Sequence, residues 1–408
     1  MRAIVVGAGI AGLSSAIGLR RAGHEVLILE KSSMLQELGA AINVCPNASR
    51  VLLQWGFSPS RARLVTARTA AFIKGDTLDL IDEQVYVDME GKFGAPFYFA
   101  HRVDLHSELK HLATREEGGV GKPAVIELRK DVVGYDADGT VMLADGSSMK
   151  ADLVVGADGL HSEAVKAVIA TENEAHPTGL VCFRFLLSTQ ELLDDPKTAP
   201  LMENHDGRFR SYVDPAGKRL IWYPCRENTV QSMAIIARER KELRTQEGTS
   251  ISSRLTQILP EFMLNLHRLE INISEGGRSE TVEALLSKAT TNVAYGKIGP
   301  IQGQAGAQAI EDGAALEKLF ANFTNTDAKS IAARLESFEN VRRNRASAMQ
   351  IFSNASQDEA ERVREAARQY VPAGDHIPSN PKEYTQYNFS HDVFAACQKE
   401  LDRIAIVA

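Results

Sequence analysis

The chain of 408 residues exceeds what one simple core usually holds and fits two or three interlocked units. Hydrophobic residues (44%) and charged residues (24%) occur in the usual proportions for a globular protein. The net charge of −7 argues against a dedicated nucleic-acid binder, and no apolar run is long enough to span a membrane.

The first thirty residues have the order of a dinucleotide-binding unit. A predicted strand at residues 3–6 precedes the glycine-rich turn GAGIAG at 7–12, a predicted helix at 13–21 and a second strand at 25–29. Strand, tight turn, helix and strand in this order are typical of the dinucleotide-binding fold and far more specific than the glycine spacing alone.

Each glycine of this turn has a predicted physical role. Gly7 allows the tight turn, Gly9 lets the backbone approach a pyrophosphate, and Gly12 lets the helix pack close to the strand. The helix N-terminus offers free N–H groups and a partial positive charge to phosphates. Glu30, 18 residues after Gly12, can accept hydrogen bonds from both hydroxyls of a ribose.

Three later segments decide which dinucleotide is expected. They are ELGAAINVCPNASRVLLQWGF at 37–57, HRVDLHSELKHL at 101–112 and ADLVVGADGLHSEAVK at 151–166. In this order and at these distances they resemble the group A flavoprotein monooxygenases, the flavin-dependent aromatic hydroxylases with the para-hydroxybenzoate hydroxylase fold. The salicylate-hydroxylase-like branch is the most similar. The resemblance covers nearly the whole chain and implies FAD as the cofactor.

The resemblance implies roles for residues in these segments. Gly39 and Asn43 fall in the loop that returns past the flavin. Arg102 matches an arginine that pairs with the flavin's phosphate or ribityl oxygens. Asp158 and Gly159 match a motif at the end of a buried strand, which serves the FAD pyrophosphate region and the passing nicotinamide cofactor.

The predicted fold class is α/β, with three parts. A Rossmann-like FAD-binding domain has a parallel sheet and a β-meander, and covers residues 1–64, 101–176 and 289–325. An antiparallel-sheet substrate domain covers 65–100 and 177–288, and residues 65–73 and 97–100 are expected to join its sheet. Residues 326–408 form a helical region, with two helices over 328–370, a loop at 371–390 and a closing helix at 391–404.

Two polar residues interrupt apolar strands of the substrate half. The resemblance to phenol-hydroxylating relatives implies that Arg184 and Tyr223 hold a substrate phenolate near the flavin, and we assign them as catalytic. The alternatives are a salt bridge at the sheet edge for Arg184 and a core aromatic side chain for Tyr223. His101, His161 and His205 are interpreted as structural.

The stretch NVAYGKIGPIQGQAGAQAIEDG at 292–313 departs from the family pattern. Its second half matches the loop that faces the flavin's ring end. Its first half lacks the aspartate that follows the glycine in the family, and no acidic residue lies between Glu283 and Glu311. Either FAD binds without this contact, or the gene model has lost a segment of roughly four to six residues, or the protein is a degenerate relative.

The predicted cofactor-binding set combines all of these segments. It comprises Gly7, Gly9, Ala11, Gly12, Glu30, Lys31, Gly39, Ala40, Asn43, Arg102, Asp158, Gly159, Pro300, Gly303, Gln304, Ala305 and Gly306. No metal site is expected, because the four cysteines are scattered without a ligand spacing. Free thiols indicate a reducing compartment, and we expect a cytoplasmic monomer or homodimer.

The resemblance implies an FAD-dependent monooxygenase, and secondary metabolism is its expected setting. NAD(P)H, with NADPH favoured, would reduce FAD, and O2 would then form a flavin hydroperoxide that hydroxylates a phenolic or aromatic-acid substrate. The alternatives are a degenerate non-catalytic paralogue with impaired FAD binding, or another FAD-dependent oxidoreductase of the same fold, such as a halogenase or an oxidase.

Overall fold

The computed structural model of the chain describes residues 1–33, 40–77, 79–86, 88–116, 120–159, 162–169, 180–214, 218–238, 294–297, 304–354, 360–372 and 374–407. The strands within these ranges are β1 (Arg2–Val6), β2 (Glu25–Glu30), β3 (Ala41–Val44), β4 (Val65–Thr66), β5 (Thr69–Lys74), β6 (Leu80–Val85), β7 (Tyr98–His101), β8 (Val125–Leu128), β9 (Val132–Tyr135), β10 (Thr140–Leu143), β11 (Ser148–Lys150), β12 (Leu153–Gly156), β13 (Leu180–Ser188), β14 (Arg208–Val213), β15 (Arg219–Cys225), β16 (Val230–Arg238) and β17 (Ala294–Lys297).

The helices of the same ranges are α1 (Ile10–Arg21), α2 (Pro46–Gln54), α3 (Met89–Phe93), α4 (Arg102–Thr114), α5 (Glu163–Ile169), α6 (Thr189–Asp194), α7 (Ala305–Phe320), α8 (Ala328–Asn354), α9 (Ala360–Ala367), α10 (Pro381–Phe389) and α11 (Val393–Val407). Short 3-10 turns cover Ala199–Met202 and Arg368–Tyr370. No helix of the described ranges is long and apolar enough to cross a membrane.

A parallel sheet with strand order β12-β1-β2-β8 forms the nucleotide-binding half. Its central strand β1 is apolar and buried from Ala3 to Val6, as expected for a strand covered on both faces. Helices α1 and α7 pack on one face, and the antiparallel meander β9-β10-β11 covers the other through a shared apolar cluster. The predicted parallel sheet and β-meander are confirmed.

The substrate half is built on a sheet with strand order β17-β13-β16-β15-β14-β5-β6. Every neighbouring pair is antiparallel except β14 and β5, which run parallel. The predicted antiparallel sheet is thus present. Strand β17 pairs with β13 and so belongs to this sheet. It is not part of the parallel sheet, although residues 294–297 fall in a range that we assigned to the FAD-binding domain. The domain limits remain a prediction.

A small three-stranded sheet, β3-β7-β4, contributes residues to the apolar clusters of both halves. We expected residues 65–73 and 97–100 to join the substrate sheet. Strand β5 does, but the expectation was wrong for β4 and β7. Strand β7 pairs with β3 on one edge and β4 on the other, so neither edge is left for β5 or β15. The two faces of this sheet differ. Ile42 and Val44 pack with α1 and α7, whereas Ala41 and Phe99 pack in an aromatic cluster with Tyr223.

Helices α8 to α11 form the C-terminal region, and the expected loop at 371–390 was wrong. Residues Pro381–Phe389 form α10. The Asn380 side chain accepts a hydrogen bond from the Glu383 N–H at 3.0 Å, and the Glu383 carboxylate accepts one from the Ser379 N–H at 2.8 Å. With Pro381 in the first turn, these contacts form an N-terminal cap, which offsets the polar composition of the segment.

Candidate active site

The glycine-rich turn and the Asp158 motif meet at the carboxyl ends of β1 and β12. Gly7 has a φ of +99°, and an ideal Cβ there would lie 2.3 Å from the Ala157 carbonyl oxygen. The Ala157 N–H in turn donates to the Val6 carbonyl at 2.8 Å. Only glycine fits at position 7, because a side chain would collide with backbone and strain φ. The two motifs therefore share one edge of the sheet, where ligands of open α/β sheets bind.

The start of α1 leaves room for a phosphate group. An ideal Cβ on Gly12 would lie 1.8 Å from the Gly7 carbonyl oxygen, whereas one on Gly9 has no atom within 4 Å. No side chain caps the N-terminus of α1. The open space at Gly9, together with the uncapped start of the helix, fits the pyrophosphate of FAD.

Glu30 lies beside this turn at the end of β2. Its Oε2 accepts a hydrogen bond from the Ala8 N–H at 2.8 Å, and its Oε1 accepts one from the Ser32 N–H at 2.9 Å. Partial burial raises the pKa of Glu30, but the hydrogen bonds lower it by a larger amount. The pKa is therefore below its usual value, and the carboxylate is ionised. Each oxygen keeps a second lone pair, which a ribose hydroxyl can use.

Asp158 caps helix α5. Its carboxylate accepts hydrogen bonds from the N–H groups of Glu163 and Ala164 at 2.9 and 3.1 Å, and from the Tyr135 hydroxyl at 3.1 Å. Gly159 follows with a φ of +86°. The structure thus assigns Asp158 a structural contact in addition to the cofactor role that remains a prediction.

The remaining residues of the predicted cofactor set lie around β3, α4 and α7. The Arg102 N–H, at the start of α4, donates to the Ala40 carbonyl at 3.2 Å, and its side chain is exposed. Lys31 and Ala305 are exposed and Ala11 is half-buried, while Gly306 packs against Ile42 of β3. Gly39, Pro300 and Gly303 lie outside the described residues, as does the segment where the family's Gly-Asp is expected.

Two side chains with buried polar atoms lie on one face of the sheet β3-β7-β4. Asn43 pairs with Phe99 in the register of β3 and β7, and His101 pairs with Ala41, so these side chains share the face that looks toward Tyr223. Asn43 Oδ1 and His101 Nδ1 are buried without a hydrogen-bond partner in the part of the chain that the structure describes. Buried polar atoms are nearly always paired, so both fit a polar ligand between the two halves.

His106 was missed by sequence reasoning. Its Nε2 lies 2.7 Å from the Ala8 carbonyl oxygen, and the ring is buried. Ala8 also donates to Glu30, so the turn is held from both sides. The only signal in the sequence is its position one turn after Arg102 in the same helix, and that spacing does not reveal a contact 98 residues away in the chain.

Arg184 and Tyr223 lie on one face of the seven-stranded sheet. Across β16, Arg184 and Ile221 both pair with Ala234, whereas Leu186 and Tyr223 both pair with Ser232. Arg184 and Tyr223 are therefore two residues apart along the strand direction, and their side chains point to the same face of the sheet. Arg184 is exposed, and its Nε donates to Cys182 Sγ at 3.4 Å.

Tyr223 is buried among aromatic rings. It stacks on Phe209 with centroids 5.7 Å apart and lies 5.0 Å from Phe99. Burial raises the pKa of Tyr223, although the charge of Arg184 acts in the opposite direction. The phenol is therefore neutral at ordinary pH. Tyr223 is a core aromatic side chain, as in the alternative interpretation, and it also lies near Arg184.

Comparison with known proteins agrees with this geometry. A family model described as FAD binding domain matches residues 1–276. The FAD-dependent monooxygenase phomE' of Diaporthe leptostromiformis is 36% identical over 400 residues, covering 92% of this chain and 96% of the relative. Hispidin-3-hydroxylase of Neonothopanus nambi is 29% identical, covering 98% of this chain and 96% of the relative. The crystal structure of Klebsiella pneumoniae HpxO complexed with FAD and uric acid has a TM-score of 0.69 at 19% identity, covering 98% of this chain and 97% of that one.

The fold and the glycine-rich turn define a dinucleotide-binding protein, and the family model identifies it as a flavin-binding oxidoreductase. More narrowly, the chain belongs to the FAD-binding family of aromatic-hydroxylase monooxygenases and is an FAD-dependent monooxygenase. The family resemblance, the α/β fold and FAD as the cofactor are thus confirmed. The individual cofactor and catalytic residues, and NAD(P)H as the reductant, remain predictions.

Proposed function

We propose that the protein hydroxylates a phenolic or aromatic-acid substrate, with NAD(P)H as the reductant and O2 as the oxidant. The substrate would lie between the seven-stranded sheet and the three-stranded sheet β3-β7-β4. The observation that carries the proposal is the shared face of Arg184 and Tyr223, because it places an exposed cation beside a wall of aromatic rings.

This face suits an aromatic anion. The guanidinium of Arg184 can pair with a phenolate or a carboxylate and so keep the ring electron-rich. Phe99 and Phe209, which flank Tyr223, offer offset or edge-to-face packing to a substrate ring. Among the described residues, no carboxylate pairs with Arg184 and competes with a substrate anion. The contact of its Nε is with the thiol of Cys182.

Chain residues on the opposite side would hold and orient the cofactor. Gly9 and the start of α1 leave space for the pyrophosphate, Glu30 offers acceptors to the ribose, and Asn43 offers an unpaired acceptor next to the aromatic cluster. FAD, when bound, supplies the electron transfer and oxygen activation that the side chains cannot perform. The name of the relative hispidin-3-hydroxylase supports the hydroxylation of an organic substrate.

The test follows reduction of the purified yellow protein by NADPH in the presence of a panel of phenols and hydroxybenzoates. A member of the panel that accelerates NADPH oxidation and returns as a product with one more oxygen atom supports the proposal. Arg184→Gln should then raise KM about tenfold or more for the acidic substrate, the loss of one charge-assisted contact.

Arg208→Gln serves as the matched control. Arg208 lies on the same sheet, adjacent to Phe209 and therefore on the opposite face, where it pairs with Glu83 at 3.0 Å. Its loss should leave KM within about twofold. No turnover of any phenol or aromatic acid, or equal effects of the two substitutions, would count against an aromatic substrate at this face.

A further inference from the structure

A buried carboxylate joins the C-terminal helices to α7. Glu311 has no exposed surface, and its Oε2 accepts a hydrogen bond from Arg342 at 2.5 Å, while Arg345 reaches its Oε1 at 3.3 Å. Burial raises the pKa of Glu311, but Arg345 and Arg342 bring it down to about 2. The group is therefore a fixed anion, held by two cations of α8.

This anion sets the orientation of a neighbouring amide. Asn47 Nδ2, on α2, donates to Glu311 Oε1 at 2.6 Å and to Gln304 Oε1 at 3.1 Å. A carboxylate only accepts hydrogen bonds, so the nitrogen of the Asn47 amide must face it. The second hydrogen of that nitrogen then reaches Gln304, and the Asn47 side chain has one orientation only.

The same chain of contacts continues to the aromatic cluster. With its oxygen engaged by Asn47, the Gln304 amide has its nitrogen available to the Cys45 thiol, where Gln304 acts against the burial that raises the pKa of Cys45. Cys45 immediately precedes α2 and packs in the cluster that contains Tyr223. Gln304 is itself buried and is the residue before α7. The polar chain thus runs from α8 to the wall of the proposed site.

We infer that Asn47 and Glu311 are positioning residues for the cofactor, because together they fix the Gln304 side chain and with it the first turn of α7. The inference rests on the proposed cofactor role of Gln304 and goes beyond it, since neither Asn47 nor Glu311 belongs to the predicted site. It also gives the C-terminal helices a part in cofactor binding through Arg342 and Arg345.

The experiment measures FAD affinity directly. Apoprotein is titrated with FAD, and binding is followed by the change in flavin fluorescence. Asn47→Leu keeps the shape of the side chain but removes the donor to Gln304 Oε1 and leaves Glu311 Oε1 with the longer contact from Arg345 alone. The Kd for FAD should rise about tenfold or more. The long-wavelength flavin absorption band of the bound fraction should also shift, because the start of α7, which the proposal places beside the flavin ring, has moved.

Ser49→Ala is the matched control. Ser49 is buried on the same helix and donates to the Pro96 carbonyl at 2.5 Å, away from Gln304. This substitution should lower the melting temperature of the apoprotein as Asn47→Leu does, yet leave the Kd for FAD within about twofold. An equal loss of FAD affinity in both variants would show general destabilisation and overturn the inference. So would a folded Asn47→Leu protein with wild-type affinity and spectrum.

A double substitution tests whether the contact between positions 47 and 311 needs one carboxylate and one amide. Asn47→Asp places two carboxylates together, and Glu311→Gln leaves two buried arginines short of a partner, so each alone should weaken FAD binding about tenfold or more. Combined, they restore one carboxylate and one amide, and affinity should return to within about threefold of wild type. Absence of this rescue contradicts a positioning role.

These measurements need neither NAD(P)H nor an aromatic compound. If the wild-type protein binds FAD but turns over no phenol, the proposed function fails while the comparison of variants stands. A wild-type protein that does not bind FAD overturns the inference, since no cofactor is then held for Asn47 and Glu311 to position.

Discussion

An ideal Cβ on Gly18 of α1 would lie 1.9 Å from the carbonyl oxygen of Gly313 on α7. The contact is reciprocal, because a Cβ on Gly313 would lie 2.3 Å from the Ser14 carbonyl oxygen. The two helices therefore touch backbone to backbone, a spacing that only glycine permits. Since α1 begins at the predicted pyrophosphate site and α7 at the predicted ring site, this contact fixes the distance between them.

Gly18→Val should force these helices apart. No flexible side chain can move away, because the colliding atom belongs to the backbone of Gly313. We expect the free energy of unfolding to fall by about 1–3 kcal/mol and FAD affinity to fall with it. Chemical denaturation of the apoprotein measures the first effect. Unchanged stability would mean that the helices separate without cost.

Gly9→Ala should weaken FAD binding without destabilising the apoprotein. Gly9 lies at the start of the same helix with a φ of −74°, and its ideal Cβ meets no atom within 4 Å. Alanine therefore fits the apoprotein, whose unfolding free energy should change by less than about 0.5 kcal/mol. The added methyl group occupies the space proposed for the pyrophosphate, so the Kd for FAD should rise about tenfold or more. Titration with FAD and denaturation of the same sample separate the two effects.

The parts of the fold that sequence reasoning predicted are those with local signals. The turn at 7–12 and the strands around it are set by residues close in the chain, and so is the meander, whose turns place Gly139 and Gly146 at φ values of +86° and +84°. Strand β7 was assigned to the wrong sheet because the choice between β3 and β5 as its partner depends on packing and not on the composition of residues 98–101.

The candidate site was harder to predict for the same reason. Asn47 and Glu311 are 264 residues apart in the sequence, and His106 and Ala8 are 98 apart. Nothing near either residue signals its partner. Helix α10 is a different case, because Asn380 and Glu383 form a capping pattern that was present in the sequence but outweighed by the polar composition around it.

Asp158 gives a prediction that separates its structural contact from its proposed cofactor role. Removal of the carboxylate by Asp158→Ala leaves the N–H groups of Glu163 and Ala164 without their acceptor, so stability should fall by about 1 kcal/mol. Asp158→Asn keeps an acceptor and should recover most of this loss. Tyr135→Phe, which removes only the hydroxyl donor, is the control and should cost less than Asp158→Ala.

Thermal unfolding of the apoprotein measures these differences, and FAD titration of the same variants reports the cofactor role independently. One outcome is that Asp158→Ala lowers both stability and FAD affinity while Asp158→Asn restores the stability but not the affinity. That outcome would show that the charge itself serves the cofactor. Equal stability of the wild-type protein and Asp158→Ala would show that the cap contributes nothing to α5.

His391 predicts how stability depends on pH. Burial lowers the pKa of His391 to about 4, although the carboxylate of Glu311, 3.8 Å away, acts in the opposite direction. In the unfolded chain a histidine titrates near a pKa of about 6.5. Between pH 6.5 and 4 the unfolded state therefore binds a proton that the folded state does not, and the free energy of unfolding falls as the pH is lowered. The expected loss over this window is of the order of 2 kcal/mol.

His391→Asn should remove this part of the pH dependence. The loss at lower pH should remain, because the pKa of Glu311 is lowered to about 2, and its stabilising contribution disappears only as the pH falls from about 4.5 toward that value. Denaturation curves between pH 7 and 4, at a fixed FAD concentration, measure the slope. His111→Asn, which removes an exposed imidazole of α4, is the control and should keep the wild-type slope. If wild type and His391→Asn lose stability equally between pH 6.5 and 4, the buried imidazole is not the group that responds.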